Sequence, residues 1–498
     1  MQAVTVRPKL VIFSHLCNDV HATGAEKLLL AFLKEMRHFF ECLLVVPQEG
    51  AIARAALREG IESATLPIPL CPAVQDGSPQ LDRELESLRT DPVWERIIDL
   101  LQREQPSYVW VNTCAHPLPA IAAKALGIPV VWALMETIAE DGPRRAQAAA
   151  LINTYSDLIV GISETVLAPF SRKTLLSKTV VLPPFVSLRE AEPESWFSHR
   201  FNVRRSNGWG EYHRVAGFVA AGLHPSKGLK EFVEAMIPLA LRDPMIRMLI
   251  VGNGADEEFV HSCIELARGA GLGNRIGWVR YAEKIETIYP AMDVLVVPSL
   301  VKEGFGMTAA EGMLFGKPVV AFASGGLTEL MQATGNGEFL VAPGDVPGLA
   351  AAAGGLLASD EWRFTVGGRN MQAVQQAYGL EAFQAKLAKL IQKLPDPVEQ
   401  LAGLVRGMGP TVYWLENGRK RPFPSPESLL AAGFRFEDVR YILEEKLVLI
   451  PPGLPMEEPE TDEAPPRRRR RRKRRRRMRA KRSAVKTRKR RGRNRSRG

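Results

Sequence analysis

The stretch PSLVKEGFGMTAAEGMLFGKPVVAFASGGLTE, from Pro298 to Glu329, decides the fold of this chain. The apolar run Val294–Val297 just before it predicts a short buried strand. A glycine-containing loop follows, and then a helix expected from about Thr308 to Phe315, which Gly316 ends before a second apolar strand. A strand–loop–helix–strand unit of this kind indicates an open α/β sheet, whose ligands bind outside the carboxyl ends of the strands.

Two carboxylates frame the loop, Glu303 and Glu311, with seven residues between them. The backbone N–H groups of Gly306, Met307 and Thr308 should point in front of the helix, where phosphate is favoured. Carboxylates cannot bind phosphate, but they accept hydrogen bonds from sugar hydroxyls, so the pattern favours a nucleotide-sugar. Purely structural roles stay open for both carboxylates, because Thr308 and Glu311 also fit a capping box and Glu303 could be a solvated loop charge.

Length and composition limit the class of protein. A chain of 498 residues is too long for one core, so we expect two large domains and smaller additions. No run of 18 apolar residues occurs, so no transmembrane helix is expected, and the N-terminal apolar run predicts a first strand rather than a signal peptide. The five cysteines show no C-x-x-C spacing, which favours a reducing cytoplasm over a disulfide framework or a zinc site.

The net charge of +11 combines two different electrostatic regions. Residues 467–498 hold 22 Lys and Arg and no acid, which leaves 44 basic against 55 acidic residues and a net charge of −11 for the rest. Residues 456–466 are acidic and proline-rich, so residues 456–498 are expected to be a disordered linker and basic tail. The tail has no aromatic residue for base stacking, so it should bind polyanions non-specifically: nucleic acid, anionic lipid or an acidic cell-wall polymer.

Alternating strands and helices predict a doubly wound parallel sheet in each half of the body. We expect the first domain over residues 1–195 and the second over 196–395, with the polar residues 187–210 as the linker. After a connector at 395–410, the Asn417-Gly418 turn and two short helical patterns predict a separate α+β module over 411–455.

The central stretch also resembles a known family. DVLVVPS, then EGFGMTAAEGMLFGKPVVA, then GG-x-x-E ending at Glu329, is similar to the E-x7-E motif of retaining GT-B glycosyltransferases that use nucleotide-diphospho-sugars. The resemblance covers about residues 9–392. It implies a GT-B fold, with two facing Rossmann-like domains, the acceptor on the first and the donor on the second. It further implies transfer of a hexose to a hydroxyl acceptor (a glycan, lipid or envelope polymer) with retention, from a UDP-sugar by base rate, without a metal or other cofactor.

The resemblance also suggests roles for individual residues. Glu303 would hold the donor-sugar hydroxyls and Glu311 the ribose, while Lys227, at the end of the GLHPSKG loop, would be a point charge on the diphosphate. Gly24 lies in TGAEKLLL, which resembles the family's G-G-A-E loop, and would let the backbone approach the diphosphate. Gly254, in a GNG turn at another strand end, completes the expected donor residues.

The nucleobase end and the acceptor side are less specific. Arg280 and Tyr281, at the end of a predicted strand, are where we expect the nucleobase. The acceptor should lie on the first domain near Gly24 and His116, and His116 is, with Glu303 and Lys227, a candidate catalytic residue.

The chain departs from the family pattern at two positions. Met135 takes the place of a His near the reacting carbon, for which His15, His21 or His116 could substitute, and Gly222 takes the place of an Arg in the Lys227 loop. A degenerate body serving as a carbohydrate- or polyanion-binding scaffold is therefore the rival hypothesis. In either case a cytoplasmic location is expected, peripheral at an inner membrane or another anionic surface if the tail attaches there.

Overall fold

The computed structural model describes residues 7–456, apart from residues 21, 140–141, 190, 255, 283, 396–402, 408, 417–418, 442–446 and 448–449. The predictions for His21, for the Asn417-Gly418 turn, and for the linker and tail beyond Met456 therefore lie outside the described residues. The chain divides into two compact units, residues 1–400 and 401–498. Within the described parts of the chain, no helix is long and apolar enough to cross a membrane.

The first sheet of the larger unit has seven parallel strands among the described residues, in the order β3-β2-β1-β4-β5-β6-β7. The elements, in chain order, are β1 (Lys9–Phe13), α1 (Gly24–Met36), β2 (Glu41–Val46), α2 (Ala51–Arg58), β3 (Glu62–Thr65), α3 (Pro72–Asp76), α4 (Leu81–Arg89), α5 (Val93–Glu104), β4 (Tyr108–Asn112), α6 (Pro117–Ala125), β5 (Val130–Leu134), α7 (Arg145–Thr154), β6 (Leu158–Gly161), α8 (Glu164–Leu167), α9 (Arg172–Lys178) and β7 (Thr179–Val181). The central strands are buried on both faces, which explains why their sequences are continuous apolar runs rather than alternating patterns.

The second sheet has six parallel strands in the described residues, in the order β10-β9-β8-β11-β12-β13. Its elements are α10 (Trp196–Ser206), β8 (Arg214–Gly222), α11 (Leu229–Arg242), β9 (Ile246–Asn253), α12 (Glu257–Gly269), β10 (Ile276–Val279), β11 (Val294–Val297), α13 (Met307–Leu314), β12 (Val319–Phe322), α14 (Gly326–Ala333), β13 (Leu340–Val341), α15 (Val346–Ala358), α16 (Asp360–Tyr378) and α17 (Leu380–Lys393). Two doubly wound parallel sheets confirm the predicted fold class.

Strand order reverses once in each sheet. The reversal lies between β1 and β4 in the first sheet and between β8 and β11 in the second. A crevice opens at such a point because the two flanking loops leave in opposite directions, and ligands of open α/β sheets bind there. The fold thus directs attention to the loops that follow these four strands.

Two sequence predictions do not match the structure: a plain polar linker over residues 187–210 and a helix over residues 282–291. Residues 187–210 are not simply a polar linker, because they contain α10, whose Arg204 is fully buried. The Arg204 guanidinium donates to the Asp293 carboxylate over 2.7 Å and to backbone carbonyls, so a charged side chain anchors this helix beneath the second sheet. Between β10 and β11, the sequence of residues 282–291 predicts a helix, but the structure has a pair of 3₁₀ turns there, Ile285–Thr287 and Tyr289–Ala291.

The last long helix of this unit returns to the first sheet. Phe383, Leu387 and Leu390 of α17 are buried in the core of the first sheet, where the Phe383 ring meets Phe32 with centroids 5.0 Å apart. These residues recur at helical spacing on one side of the helix, so the opposite flank is left to solvent.

The smaller unit contains a four-stranded sheet in its described residues, in the order β16-β15-β14-β17. Its elements are β14 (Gly403–Arg406), β15 (Val412–Glu416), β16 (Arg419–Pro422), α18 (Pro426–Ala431) and β17 (Arg440–Tyr441). Strand β14 lies upstream of residue 411, in the expected connector, and it pairs with both β15 and β17. The pattern after Phe436, which favours a helix, forms a 3₁₀ turn followed by β17.

Candidate active site

Lys227 and Glu303, predicted from separate motifs 76 residues apart, form an ion pair at the reversal point of the second sheet. The Lys227 Nζ lies 2.7 Å from Glu303 Oε1, and Ser299 Oγ donates to the same oxygen over 2.7 Å. Their loops follow β8 and β11, and Leu300 N–H donates to Ser226 O across the two loops over 2.9 Å. The structure thus holds a lysine and a carboxylate side by side where the fold places a ligand.

Helix α13 begins beside this pair with an uncapped N-terminus. Its N-cap is Gly306, whose φ of +103° lies in a region that other residues rarely adopt, and no side chain of the described residues caps it. The N–H groups of Gly306, Met307 and Thr308 therefore remain available in front of the helix. Since the cap is Gly306 rather than Thr308, the capping box considered for Thr308 and Glu311 is wrong.

Glu311 has a specific structural partner. Its Oε2 accepts a hydrogen bond of 2.6 Å from the hydroxyl of Tyr289, a fully buried residue. Burial raises the pKa of Glu311 to about 7, although the Tyr289 hydrogen bond and the charge of Lys27 act in the opposite direction. Burial, together with Glu311, holds the pKa of Tyr289 well above its ordinary value, so the tyrosine stays a hydrogen-bond donor.

The charge of Lys27, in the first turn of α1, acts on the pKa of Glu311, so the start of this helix lies within electrostatic range of the site. Gly24 opens this helix, and no protein atom lies within 4 Å of the position that a Cβ would take there. Packing within the described protein therefore gives no reason for glycine, whereas an approaching ligand would. Thr23 and Glu26 form a capping box at the start of this helix, with both of its hydrogen bonds present.

Gly254, a predicted donor residue, and Arg280, predicted for the nucleobase end, both contact Trp278. A Cβ at Gly254 would meet the Trp278 ring at 3.0 Å, and the Arg280 guanidinium stacks 4.2 Å above the centre of that ring. Arg280 also pairs with Glu257, while Tyr281 is 55% exposed. Gly254 is thus a contact surface for Trp278, and the exposed tyrosine is the nearer candidate for stacking on a base.

Two contacts between segments that follow the strands of the two sheets lie around the candidate site. A Cβ at Gly304 would lie 2.5 Å from the carbonyl oxygen of Met135, so the loop after β11 approaches the end of β5 as only glycine allows. Glu329, from the GG-x-x-E motif, accepts hydrogen bonds from Glu164 N–H at 3.0 Å and Thr165 N–H at 2.7 Å. Both contacts hold the carboxyl edges of the sheets close together.

The edge of the first sheet carries buried polar groups that lack partners. His116 is 1% exposed, and neither ring nitrogen has a hydrogen bond among the described residues. Asn112 Oδ1 and His15 Nδ1 likewise have no hydrogen bond among the described residues. Burial lowers the pKa of His116 to about 3 and also lowers the pKa of His15, so both imidazoles are neutral near pH 7. These groups come from the loops after β1 and β4, at the reversal point of this sheet.

One backbone conformation at this edge is strained. Thr113 has a φ of +81°, which is rare for a β-branched residue, and its Oγ1 donates to Glu136 over 2.9 Å. Trp132 Nε1 donates to the carbonyl of Thr113 over 2.8 Å and so fixes the turn. Strain that a rigid core maintains is typical of a functional site.

At position 222, where the resemblance leads one to expect an arginine, the chain has a glycine covered by His224. A Cβ at Gly222 would lie 2.6 Å from the Nε2 of His224, an exposed residue of the same loop. The imidazole therefore covers the space in which a longer side chain at position 222 would begin. Met135, at the position of the expected histidine, is partly buried and packs against the core.

Sequence reasoning missed several residues of this site. Ser299 lies two residues after the strand that precedes Glu303 and could have been noticed from that position. Tyr289 lies 22 residues before Glu311 in a segment expected to be helical, so no local signal linked the two. The contact of Glu329 with Thr165 joins residues 164 apart and required the tertiary fold. Within the described residues, no group of three or more His, Cys, Asp or Glu side chains could hold a metal ion.

One protein-family model matches the part of the chain that contains these site residues. Residues 213–359 match the family model described as "Glycosyl transferases group 1", a range that includes Lys227, Glu303 and Glu311. Residues 213–359 are thus similar to a group 1 glycosyltransferase domain, which agrees with the resemblance in the second sheet.

Similar sequences are glycosyltransferases in the words of their names. A D-inositol 3-phosphate glycosyltransferase of Corynebacterium urealyticum is 33% identical over 205 residues, which are 40% of this chain and 47% of that protein. A 2-deoxystreptamine glucosyltransferase of Streptomyces kanamyceticus is 28% identical over 282 residues, 54% of this chain and 65% of that protein. The chain thus spans about half to two thirds of the length of these relatives.

Solved structures confirm the GT-B fold. The Anabaena protein HepE, in complex with UDP and glucose, has a TM-score of 0.63 at 20% identity and covers 78% of this chain and 100% of its own. Sucrose-phosphate synthase from Thermosynechococcus elongatus has a TM-score of 0.58 at 19% identity and covers 78% of this chain and 99% of its own. At these identities the likeness establishes the fold alone.

Proposed function

We propose that this protein transfers a hexose from a nucleotide-diphospho-sugar to a hydroxyl acceptor with retention of anomeric configuration. The observation that carries this proposal is the Lys227–Glu303 pair at 2.7 Å, beside the uncapped start of α13. A lysine and a row of backbone N–H groups suit a diphosphate, and a carboxylate next to them suits sugar hydroxyls. UDP-sugars are the first donors to test, because structures similar to this chain are complexes of HepE with UDP and with UDP-glucose.

In this proposal the second sheet stabilises the leaving group. The bond between the anomeric carbon and the diphosphate oxygen breaks, and charge accumulates on the diphosphate. Lys227 and the N–H groups of Gly306, Met307 and Thr308 would stabilise that charge in place, without reorganisation. Glu303 orients Lys227 through Oε1, while its Oε2 accepts no hydrogen bond from the described residues and is left for a hydroxyl of the donor sugar. Glu311 would accept from the ribose.

The first sheet would hold the acceptor in line with the anomeric carbon. The acceptor hydroxyl forms the new C–O bond on the face that the diphosphate leaves, and its proton passes to the departing diphosphate oxygen. Neutral His15 and His116, with Asn112 and Glu136, offer hydrogen bonds to hydroxyl groups rather than charge to phosphates. With its pKa near 3, His116 would position the acceptor rather than accept its proton.

The test is donor binding and turnover in the full-length chain. Calorimetry with UDP-, GDP- and ADP-sugars should identify one donor, and nucleotide release should follow slowly without acceptor and faster with a sugar acceptor. The anomeric configuration of the product, measured by NMR, tests retention. Glu303→Gln should abolish turnover. Glu265→Gln is the matched control, because Glu265 is exposed and pairs with Arg268 on the surface.

The basic tail requires its own control, because it could bind any nucleotide through charge alone. Tail binding should weaken steeply with salt and be indifferent to Glu303→Gln, whereas donor-site binding should depend on that residue. If the folded protein shows no Glu303-dependent binding of any nucleotide-sugar, the enzyme hypothesis is overturned and the scaffold hypothesis is favoured.

A further inference from the structure

A basic groove lies on the first sheet, outside the candidate active site. It is an open groove of about 440 Å³ at the edge strand β7, between α9 and α17. Its lining residues are Glu164, Leu175, Leu176, Thr179, Val180, Val181, Lys386, Lys389 and Lys393.

Three lysines form one wall of the groove. Lys386, Lys389 and Lys393 recur three and four residues apart on α17, so they share the flank of the helix beside its buried face. In the described part of the chain, none of the three forms an ion pair with an acidic side chain. Lys386 Nζ donates to the Ala377 carbonyl over 3.3 Å and lies 5.2 Å from the centre of the Tyr378 ring, so it is held in place without a carboxylate. Residues 1–466 carry a net charge of −11, so three lysines without a carboxylate partner in the described residues are a local reversal of that charge.

The opposite wall adds an exposed leucine and further positive charge. Helix α9 has no buried residue, and Leu176 is 79% exposed at its outer side. Arg172 and Lys173 at the start of α9 are exposed and form no ion pair with the described residues. The acidic lining residue, Glu164, lies where the groove adjoins the contact with Glu329.

We propose that this groove docks the body on an anionic phospholipid surface. Lysines that flank an exposed leucine combine the two forces of a peripheral membrane contact, which are attraction to lipid phosphates and insertion of an apolar side chain between head groups. Nucleic acid fits the groove less well, because a backbone of phosphates gives no reason for the exposed Leu176 and the lining offers no aromatic ring for stacking. The docking surface belongs to the body and is distinct from the Arg-rich tail.

The experiment measures whether the groove itself contacts the membrane, because the tail could bind vesicles without bringing the groove to their surface. Leu176→Cys in the full-length chain is labelled with a polarity-sensitive fluorophore; the five native cysteines are all buried. Vesicles of phosphatidylglycerol and phosphatidylcholine are then compared with phosphatidylcholine alone. The expected result is a blue shift on the anionic vesicles only. A label at Phe364→Cys, 85% exposed on α16, is the matched control and should not shift.

Charge substitutions test the lysine wall. Each lysine near an anionic surface should change affinity about fivefold, so Lys386→Glu, Lys389→Glu and Lys393→Glu together should weaken the contact of this groove with the vesicles by well over 100-fold. In the full-length chain the tail would keep the protein on the vesicles, but the Leu176 label should lose its blue shift. Donor turnover in solution should be unchanged, since the groove is outside the donor site.

Three outcomes would overturn the proposal. Binding of the full-length chain without a shift at Leu176 would assign the attachment to the tail, and equal shifts at Leu176 and Phe364 would mean non-specific adsorption. Equal losses of affinity for duplex DNA and for vesicles in the triple variant would mean a general polyanion surface.

Discussion

At the carboxyl edge of the second sheet, Lys227, Glu303 and Glu311 each have a hydrogen-bonding partner, whereas at the edge of the first sheet His116 has none among the described residues. The second edge balances the charges of Lys227 and Glu303, and the first carries buried, neutral imidazoles. A balanced edge can exist without its ligand and bind it with little rearrangement. An edge with unpaired buried groups costs stability until a ligand supplies partners, so the two halves should respond differently to mutation.

The largest effect is expected from removing the charge balance of the second edge. Lys227→Met takes a cation from the diphosphate and leaves Glu303 with Ser299 as its one remaining side-chain partner in the described structure. Turnover should fall by about 10²–10³-fold, the loss typical of a group that stabilises developing charge. Initial rates of nucleotide release measure it.

Lys230→Met is the matched control for this variant. Lys230 lies three residues later, is more than half exposed and pairs among the described residues with Glu234 alone, so its loss should leave the rate within about twofold. Equal losses of turnover in both variants would mean that Lys227 does not act on the diphosphate.

The first edge should show the opposite behaviour on substitution. His116→Leu replaces a buried imidazole that has no partner in the described structure by an apolar side chain of similar volume. The free energy of unfolding should therefore rise by about 1–3 kcal/mol, measured by urea denaturation. Acceptor-dependent transfer should fall while hydrolysis of the donor continues. A destabilised variant would mean that a buried water or another partner already satisfies the ring.

This contrast also explains how far the sequence could predict the site. The doubly wound sheets followed from apolar runs and their spacing, and Lys227 and Glu303 from motifs at strand ends, because those features are local. The partner of Glu311 could not be foreseen, since Tyr289 belongs to a segment whose helical pattern was overridden by packing into 3₁₀ turns. The helix α10 was missed for a similar reason: its polar sequence is stabilised by burying Arg204 against Asp293, which no periodicity reveals.

The unpaired groups of the first edge were still less accessible to sequence analysis. His116 attracted attention only as one of several histidines, and its burial and lack of partners among the described residues depend on how the surrounding loops close over it. Glu329 was recognised within a motif, yet its contact with Thr165 is a property of the two sheets together.

A moderate effect is expected from the ionisation of Glu311, whose pKa burial raises from 4.5 to about 7. The unfolded chain binds fewer protons at this residue between these values, so its contribution to stability falls as the pH rises through that window. Donor affinity should move the other way, because ribose hydroxyls donate to the ionised carboxylate. We expect donor binding about tenfold tighter at about pH 8 than at about pH 6, measured by calorimetry.

Two variants assign this pH dependence to Glu311 rather than to a histidine. Glu311→Gln should remove it. Tyr289→Phe deletes a hydrogen bond that lowers the pKa of Glu311, and should therefore shift the midpoint to higher pH. A pH profile that both variants leave unaltered would contradict the assignment.

The smallest effect is expected from restoring the arginine that the resemblance leads one to expect. Gly222→Arg meets first the ring of His224, the far end of an exposed side chain that can turn away, and Gly222 does not need a left-handed backbone. Because the loop is partly exposed, the new cation should strengthen donor binding by only about twofold to fivefold. Gly222→Met has a similar reach without charge and should not strengthen it. If Gly222→Arg weakens binding and Gly222→Arg with His224→Ala restores it, the imidazole is a necessary part of the loop. If neither changes binding, the charge balance of Lys227 and Glu303 alone is sufficient for the diphosphate.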